Sequence, residues 1–133
     1  MVGSFCISDN TCEICDSGYQ FRCVNGGFVS GTQAEFVRIP QADGTLVFVP
    51  GGHPGDPDVL ASLLATSDVL DTGWFGAVAA EAGPGKTVAV VGDGAVGLLA
   101  ILAAKELGAE RIIAMSRNSQ RQAVAKELHM FRL

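Results

Sequence analysis

Three cysteines, Cys12, Cys15 and Cys23, are spaced to bind one soft metal ion. Two thiolates three positions apart can grip an ion from a single turn. A third, returning from a short loop, completes one face of a tetrahedron. A fourth ligand is then required. Asp9 lies three residues before Cys12 and continues the same rhythm, while Cys6 lies six before it. Spacing favours Asp9, thiolate softness favours Cys6, and Asp9 is preferred. With every position filled by protein, such a zinc holds a fold and performs no chemistry. All four cysteines fall within the first 23 residues. In a secreted mini-protein that crowding would suggest two disulfides; in a cytosolic chain it points to metal.

The second constellation is Gly92-Asp93-Gly94-Ala95-Val96-Gly97, which fits G-x-G-x-x-G. It follows an apolar run and opens a helical pattern, the context that makes it a dinucleotide-binding candidate. Gly92 permits the tight turn, Gly94 lets a pyrophosphate approach the backbone, and Gly97 lets helix and strand pack closely. Ala95 and Val96 would then begin a helix whose free N–H groups face the phosphates. An NAD-binding unit places a carboxylate about 20 residues later for the ribose 2′-hydroxyl. Here that stretch reads Met115-Ser116-Arg117-Asn118, without one. Ser116 can hydrogen-bond a 2′-phosphate, Arg117 can pair with it and Arg121 can help, so NADP is expected over NAD.

The elements that would position these groups are legible in outline. Ala34 to Ile39, bounded by Pro40, and Thr45 to Val49, after the Asp43-Gly44 turn signal, read as short strands. Asp58 to Leu64 reads as a helix with Asp56 or Asp58 at its start and Pro57 between them. Ser67 to Ala82 reads as a longer helix stopped by Gly83-Pro84-Gly85. Thr87 to Val91 and Arg111 to Met115 read as strands buried on both faces. Ala95 to Leu107, capped by Gly108, and Asn118 to Leu128 read as helices. This β-α-β-α alternation implies an α/β fold with a parallel sheet and right-handed crossovers.

Bulk properties exclude several classes. With 133 residues, 48% hydrophobic, 17% charged and mean hydropathy +0.33, the chain has a globular composition. A net charge of −5 argues against nucleic acid as a partner. No apolar run reaches membrane-spanning length, and MVGSFCISDN lacks the pattern of a secretory signal, so the default location is cytoplasmic.

In their order, these motifs resemble the zinc-containing medium-chain dehydrogenase/reductase family, the zinc-dependent alcohol dehydrogenases. The matching pieces are the Asp9-to-Cys23 lobe, a GTQAEFVRIP-like strand, SDVLDTGWFGA, TVAVVGDGAVG and RIIAMSR, together spanning nearly all of residues 4 to 128. The resemblance implies that residues 1–55 are part of a GroES-like catalytic domain carrying the structural-zinc lobe. Residues 56–133 would be connecting helices and the first β-α-β-α of a Rossmann NAD(P)-binding domain. It further implies hydride transfer between a small-molecule alcohol and its aldehyde or ketone, with a second, catalytic zinc acting as a Lewis acid. Asp68 would stand in the place of that zinc's third protein ligand, and Thr72 would sit beside the nicotinamide. Read alone, Asp68 is a helix N-cap.

The departures are specific. Relatives supply the other catalytic-zinc ligands, a Cys and a Gly-His-Glu motif, from an upstream segment this sequence lacks. Its two histidines, His53 and His129, lie in no such motif and are assigned no role. Asp71 stands where many relatives have proline, and Phe75 where several have histidine. The tail His129-Met130-Phe131-Arg132-Leu133 departs from the expected Gly-Ala-Thr/Asp continuation. Truncation at both ends is therefore expected. The strand Thr87 to Val91 would then keep an open edge, and self-association should follow.

Overall fold

The computed structural model describes residues 2–127; His129 and the rest of the tail lie outside the described residues. The chain divides into two compact units, Met1–Asp68 and Val69–Leu133.

The first unit is made of short pieces tied by hydrogen bonds. Strands β1 (Val2–Gly3) and β4 (Leu46–Val47) pair antiparallel, as do β2 (Cys6–Ile7) and β3 (Gly27–Phe28). Between β2 and β3 lie a one-turn helix, α1 (Glu13–Asp16), and a 3-10 turn, Gln20–Arg22. A second short helix, α2 (Ala42–Thr45), precedes β4. The buried pair Ser8 and Thr45 ties the knuckle region to this segment: the Ser8 N–H donates to Thr45 Oγ1 at 3.2 Å. Gly44 lies so close to the Ser8 carbonyl that a Cβ there would collide with it. Helix α3 (Pro57–Ala65) begins as the sequence indicates, with Pro57 at its first position and Asp56 Oδ1 accepting from the Asp58 N–H at 2.8 Å.

Two strand expectations fail in this unit. Residues 34–39 form no strand among the described residues, and Phe36 is 90% exposed. Strand-type residues bounded by a proline suit extended backbone, but they do not supply the partner backbone a ladder needs. Thr45 closes α2 instead of opening a strand, and the Asp43-Gly44 pair lies inside that helical turn. Only Leu46 and Val47 remain extended and paired.

In the second unit the α/β reading holds closely. Helix α4 (Val69–Ala79) leads through the Gly83–Gly85 turn to β5 (Thr87–Val91). Then come α5 (Ala95–Glu106), β6 (Arg111–Met115) and α6 (Ser119–Glu127). Strands β5 and β6 are parallel in the register Thr87↔Arg111 through Val91↔Met115. Gly108 follows α5 at φ +87°, the left-handed cap its position requires. Asn118 Oδ1 accepts from the Arg121 N–H at 3.1 Å and so caps α6.

Small residues form the centre of this unit. Ala77 of α4 and Ala103 and Ala104 of α5 are buried together, with Val88, Leu107 and Ile112 packed around them. Small side chains let backbones approach. A Cβ on Gly73 would come within 2.6 Å of the Ala100 amide nitrogen, so α4 meets the α5 backbone directly. Ile101, 1% exposed, adds a burial contribution of about 1.5–3 kcal/mol.

The expectation that β5 and β6 are buried on both faces needs correction. Exposure alternates along each strand, and Val91, at 81% exposed, and Met115, at 54%, share the open side with Ile113. Continuous apolar sequence permits two covered faces. Helix α5 packs on the sheet, and among the described residues the other side stays open.

The two glycines of α4 predict opposite outcomes for one substitution. Gly73→Ala drives a methyl into α5 and should cost about 1–3 kcal/mol, whereas a Cβ at Gly76 meets nothing within 4 Å. Gly76→Ala should therefore stabilise by roughly 0.5–1 kcal/mol through helix propensity. Urea titrations of the two variants check this, and a shared sign would refute the α4–α5 contact.

Candidate metal knuckle and nucleotide-binding bend

Local turns bring the cysteines together. Cys12 directly precedes α1, Cys15 is buried within it, and the 3-10 turn delivers Cys23 at its end. The Sγ atoms of Cys12, Cys15 and Cys23 all lie within 4.8 Å of one another, and Cys12 Sγ to Cys15 Sγ is 3.4 Å. Three sulfurs this close, on a turn-rich scaffold, suit a tetrahedral thiophilic ion such as zinc. The four cysteines carry no disulfide.

Asp9 stands beside this cluster: its Oδ1 accepts from Cys23 Sγ at 3.2 Å, and its Oδ2 accepts from Asn25 Nδ2 at 2.7 Å. The Thr11 backbone N–H, then the Asn25 and Cys23 side chains, hold the Asp9 carboxyl down at about 2. Cys6, by contrast, lies in β2 opposite Phe28 and does not join the three-thiol group.

The thiols are electrostatically unequal. Backbone N–H groups of Val24 and Cys15 lower Cys12 to about 7. For Cys23 the Asp9 backbone N–H is the largest single influence and lowers it. Desolvation and the side chains of Asp9 and Cys15 together outweigh that and push it up to about 11. Burial raises Cys6.

The glycine bend is in the second unit. Gly92 takes φ +112°, open only to glycine without strain, and its N–H donates to the Met115 carbonyl at 3.1 Å. Gly94 is the N-cap of α5, and a Cβ built on it meets nothing within 4 Å, so its outer side is open to a ligand. Gly97 is the reverse: a Cβ there would collide with the Gly92 carbonyl oxygen. Ala95 and Val96 fill the first turn of α5, which carries no side-chain cap. Its first N–H groups are thus available to an anion.

The residues expected to read the ribose are partly engaged already. Ser116 Oγ donates to Asp93 Oδ2 at 2.5 Å, and Arg121 Nη1 forms an ion pair with Asp93 Oδ1 at 3.3 Å. The Ser116 hydroxyl, and behind it Arg121, keeps the Asp93 carboxyl below the usual range. Arg117 is exposed. A cavity of about 180 Å³ opens here, lined by Gly92, Asp93, Leu98, Ser116, Gln122 and Lys126. Sequence reasoning assigned Asp93 nothing. The signal was in the register: Val91 pairs with Met115, so the residues just beyond each strand must meet.

Asp68 lies in the turn before α4 and Thr72 on that helix, both exposed, and His53 is in an exposed loop. Among the described residues, the only group of three or more metal-binding side chains is the cysteine cluster.

No protein-family model matches the chain. It is 43% identical over 102 residues to a glutathione-independent formaldehyde dehydrogenase of Pseudomonas aeruginosa, covering 77% of this chain and 25% of that protein. It is 34% identical to a medium chain reductase/dehydrogenase of Acremonium sp, covering 96% of this chain and 46% of the other. Among solved structures, an alcohol dehydrogenase from Thermus sp. ATN1 aligns with TM-score 0.77 and 32% identity, over 95% of this chain and 38% of that one. The chain belongs to the zinc-type medium-chain alcohol dehydrogenase family, and spans between a quarter and under a half of the length of these curated relatives.

With metal removed by chelator at pH 7, Cys12 should react first with iodoacetamide, because roughly half of it is thiolate near its pKa. Cys6 should lag. Peptide mass spectrometry over time reads the order, and equal rates at Cys12 and Cys6 would contradict it.

Proposed function

We propose that the chain forms the structural-zinc lobe and phosphate-binding bend of an NADP(H)-linked zinc alcohol dehydrogenase, which moves a hydride between an alcohol and its aldehyde or ketone. One observation carries the reading: the bend between β5 and α5 packs Gly97 against the Gly92 carbonyl while leaving Gly94 open. Close packing on the inner side and free backbone on the outer side are what a pyrophosphate cradle requires. In this reading residues 56–133 contain the connecting helices and the start of a Rossmann domain, and residues 1–55 belong to the catalytic domain.

Cys12, Cys15, Cys23 and Asp9 are assigned as the structural-zinc ligands. Asp9 is preferred to Cys6 because its carboxylate already meets Cys23 Sγ at 3.2 Å. Asp68 is assigned to a catalytic zinc and Thr72 to the nicotinamide side, both by family resemblance. Ser116, Arg117 and Arg121 are assigned to the 2′-phosphate, since no carboxylate occupies residues 115–118.

A second reading has its own support. Because the thiol knuckle is the only metal-type cluster among the described residues, these 133 residues alone fit a non-catalytic zinc- and nucleotide-binding module. Four free cysteines suit a cytoplasmic setting, and among the described residues no helix is long and apolar enough to cross a membrane. The open side of the β5–β6 pair is proposed as a self-association surface, which light scattering would test.

Metal analysis separates the readings. One zinc per chain is expected of the module, whereas two, with alcohol-dependent NADPH formation, would establish a catalytic site here. Asp9→Ala should weaken zinc binding about ten- to a hundredfold, and Cys6→Ser should leave it nearly unchanged. The reverse order would reassign the fourth ligand. Zinc affinity should also fall as pH drops from about 8 to 6, because protons compete for the thiolates.

For the nucleotide, fluorescence titration of the full chain should show tighter NADPH than NADH. Gly97→Val should abolish both. Equal affinities, or tighter NADH, would defeat the assignment of Ser116 and the arginines.

A further inference from the structure

Asp93 lies within the glycine bend but is not one of the three glycines that shape the phosphate cradle. Its side chain grows from the glycine bend, between Gly92 and Gly94, and is 19% exposed. It reaches across to the end of β6 and the first turn of α6, where it accepts a hydrogen bond from the Ser116 hydroxyl at 2.5 Å and pairs with Arg121 at 3.3 Å. A serine has one O–H to donate. While Asp93 holds it, that donor is unavailable to any other anion, and so is part of the Arg121 guanidinium.

We propose that Asp93 sets the cofactor discrimination of this bend by competing with a ribose 2′-phosphate for Ser116 and Arg121. The inference rests on the nucleotide reading above. A 2′-phosphate carries roughly −1.5 to −2 at pH 7 and needs just these donors. To bind, it must displace a carboxylate of the same sign that stays beside it. A free 2′-hydroxyl faces no such cost, because it can donate to the Asp93 carboxylate. That is the role an acidic residue normally takes about 20 residues after the bend. Here a carboxylate reaches the second strand end from the glycine bend through the parallel register, so Asp93 narrows the margin by which these donors favour NADPH without reversing it. The other charged groups at this mouth are Lys126, which lines the cavity, and Arg117, which is exposed beside Ser116. Both are cations that favour a phosphate, so Asp93 is the single opposing charge among them.

Specificity is a difference between two affinities, so the test reads a ratio. Calorimetric titrations of the full 133-residue chain use adenosine 2′,5′-bisphosphate and 5′-AMP, which differ only in the 2′-phosphate. Asp93→Asn, nearly isosteric, should raise the ratio of affinities in favour of the bisphosphate about tenfold, and Asp93→Ser should do the same. Arg121→Ala should lower it by a similar factor. A ratio does not change when part of the sample is unfolded, so a merely structural role for Asp93 would leave it unmoved. If both ligands bind and neither Asp93 variant raises the ratio, the competition is refuted while the nucleotide site stands. If the unsubstituted chain binds neither ligand, the nucleotide reading fails, and this inference falls with it.

Discussion

The contact on which the second unit depends is between two glycines. Gly97 in the first turn of α5 lies against the carbonyl of Gly92, with no space for even a methyl group. That contact fixes how steeply the helix leaves the strand. It aims the uncapped N–H groups of α5 outward over Gly94, where the backbone is bare. The same economy of side chains recurs behind the bend. Gly73 meets the Ala100 amide and Ala77 meets the Ala103–Ala104 pair, so α4 and α5 pack through backbone and methyl groups. A core of this kind has little hydrophobic area per residue and relies on close fit. Rigid placement of the bend follows from that fit.

The knuckle of the first unit is built by a different logic. Its three thiols are gathered by one helical turn and one 3-10 turn within a short stretch of chain, and the regular structure around them is two pairs of two-residue strands. So little ladder cannot offset much chain entropy. What fixes the segment is polar: Ser8 to Thr45, Asn10 to Gly44, and Asp9 to Asn25 and Cys23. A metal that draws the sulfurs together would add folding free energy where the core supplies little.

This difference explains what the sequence made legible. Cys12, Cys15 and Cys23 could be grouped because the contacts among them are short-range. Thr87–Val91 and Arg111–Met115 could be bounded because turn residues flank continuous apolar runs. Pattern failed where the outcome depended on a distant partner. Residues 34–39 read as a short strand bounded by Pro40, but no described segment pairs with them. The apolar strands implied two covered faces, and Val91 and Met115 show that one stays open. Asp43-Gly44 carried a turn signal, but Gly44 is drawn against the Ser8 carbonyl and the turn winds into a helix. Asp93 was overlooked for the same reason, since its partners are distant in sequence and adjacent only through the β5–β6 register.

That last case bears on how cofactor preference should be read from sequence. The usual rule inspects the end of the second strand and asks whether an acid or a base stands there. Applied to Met115-Ser116-Arg117-Asn118, it sees only donors and returns a phosphate-binding answer. But the electrostatic environment of the ribose belongs to every group that reaches it, and a parallel pair in register necessarily brings the first bend to the second strand end. With Asp93 oxygens at 2.5 Å and 3.3 Å from two of the supposed phosphate donors, the local charge is mixed. An acidic residue inside the glycine motif therefore has to be counted with the residues beyond the second strand, because the register brings the two together.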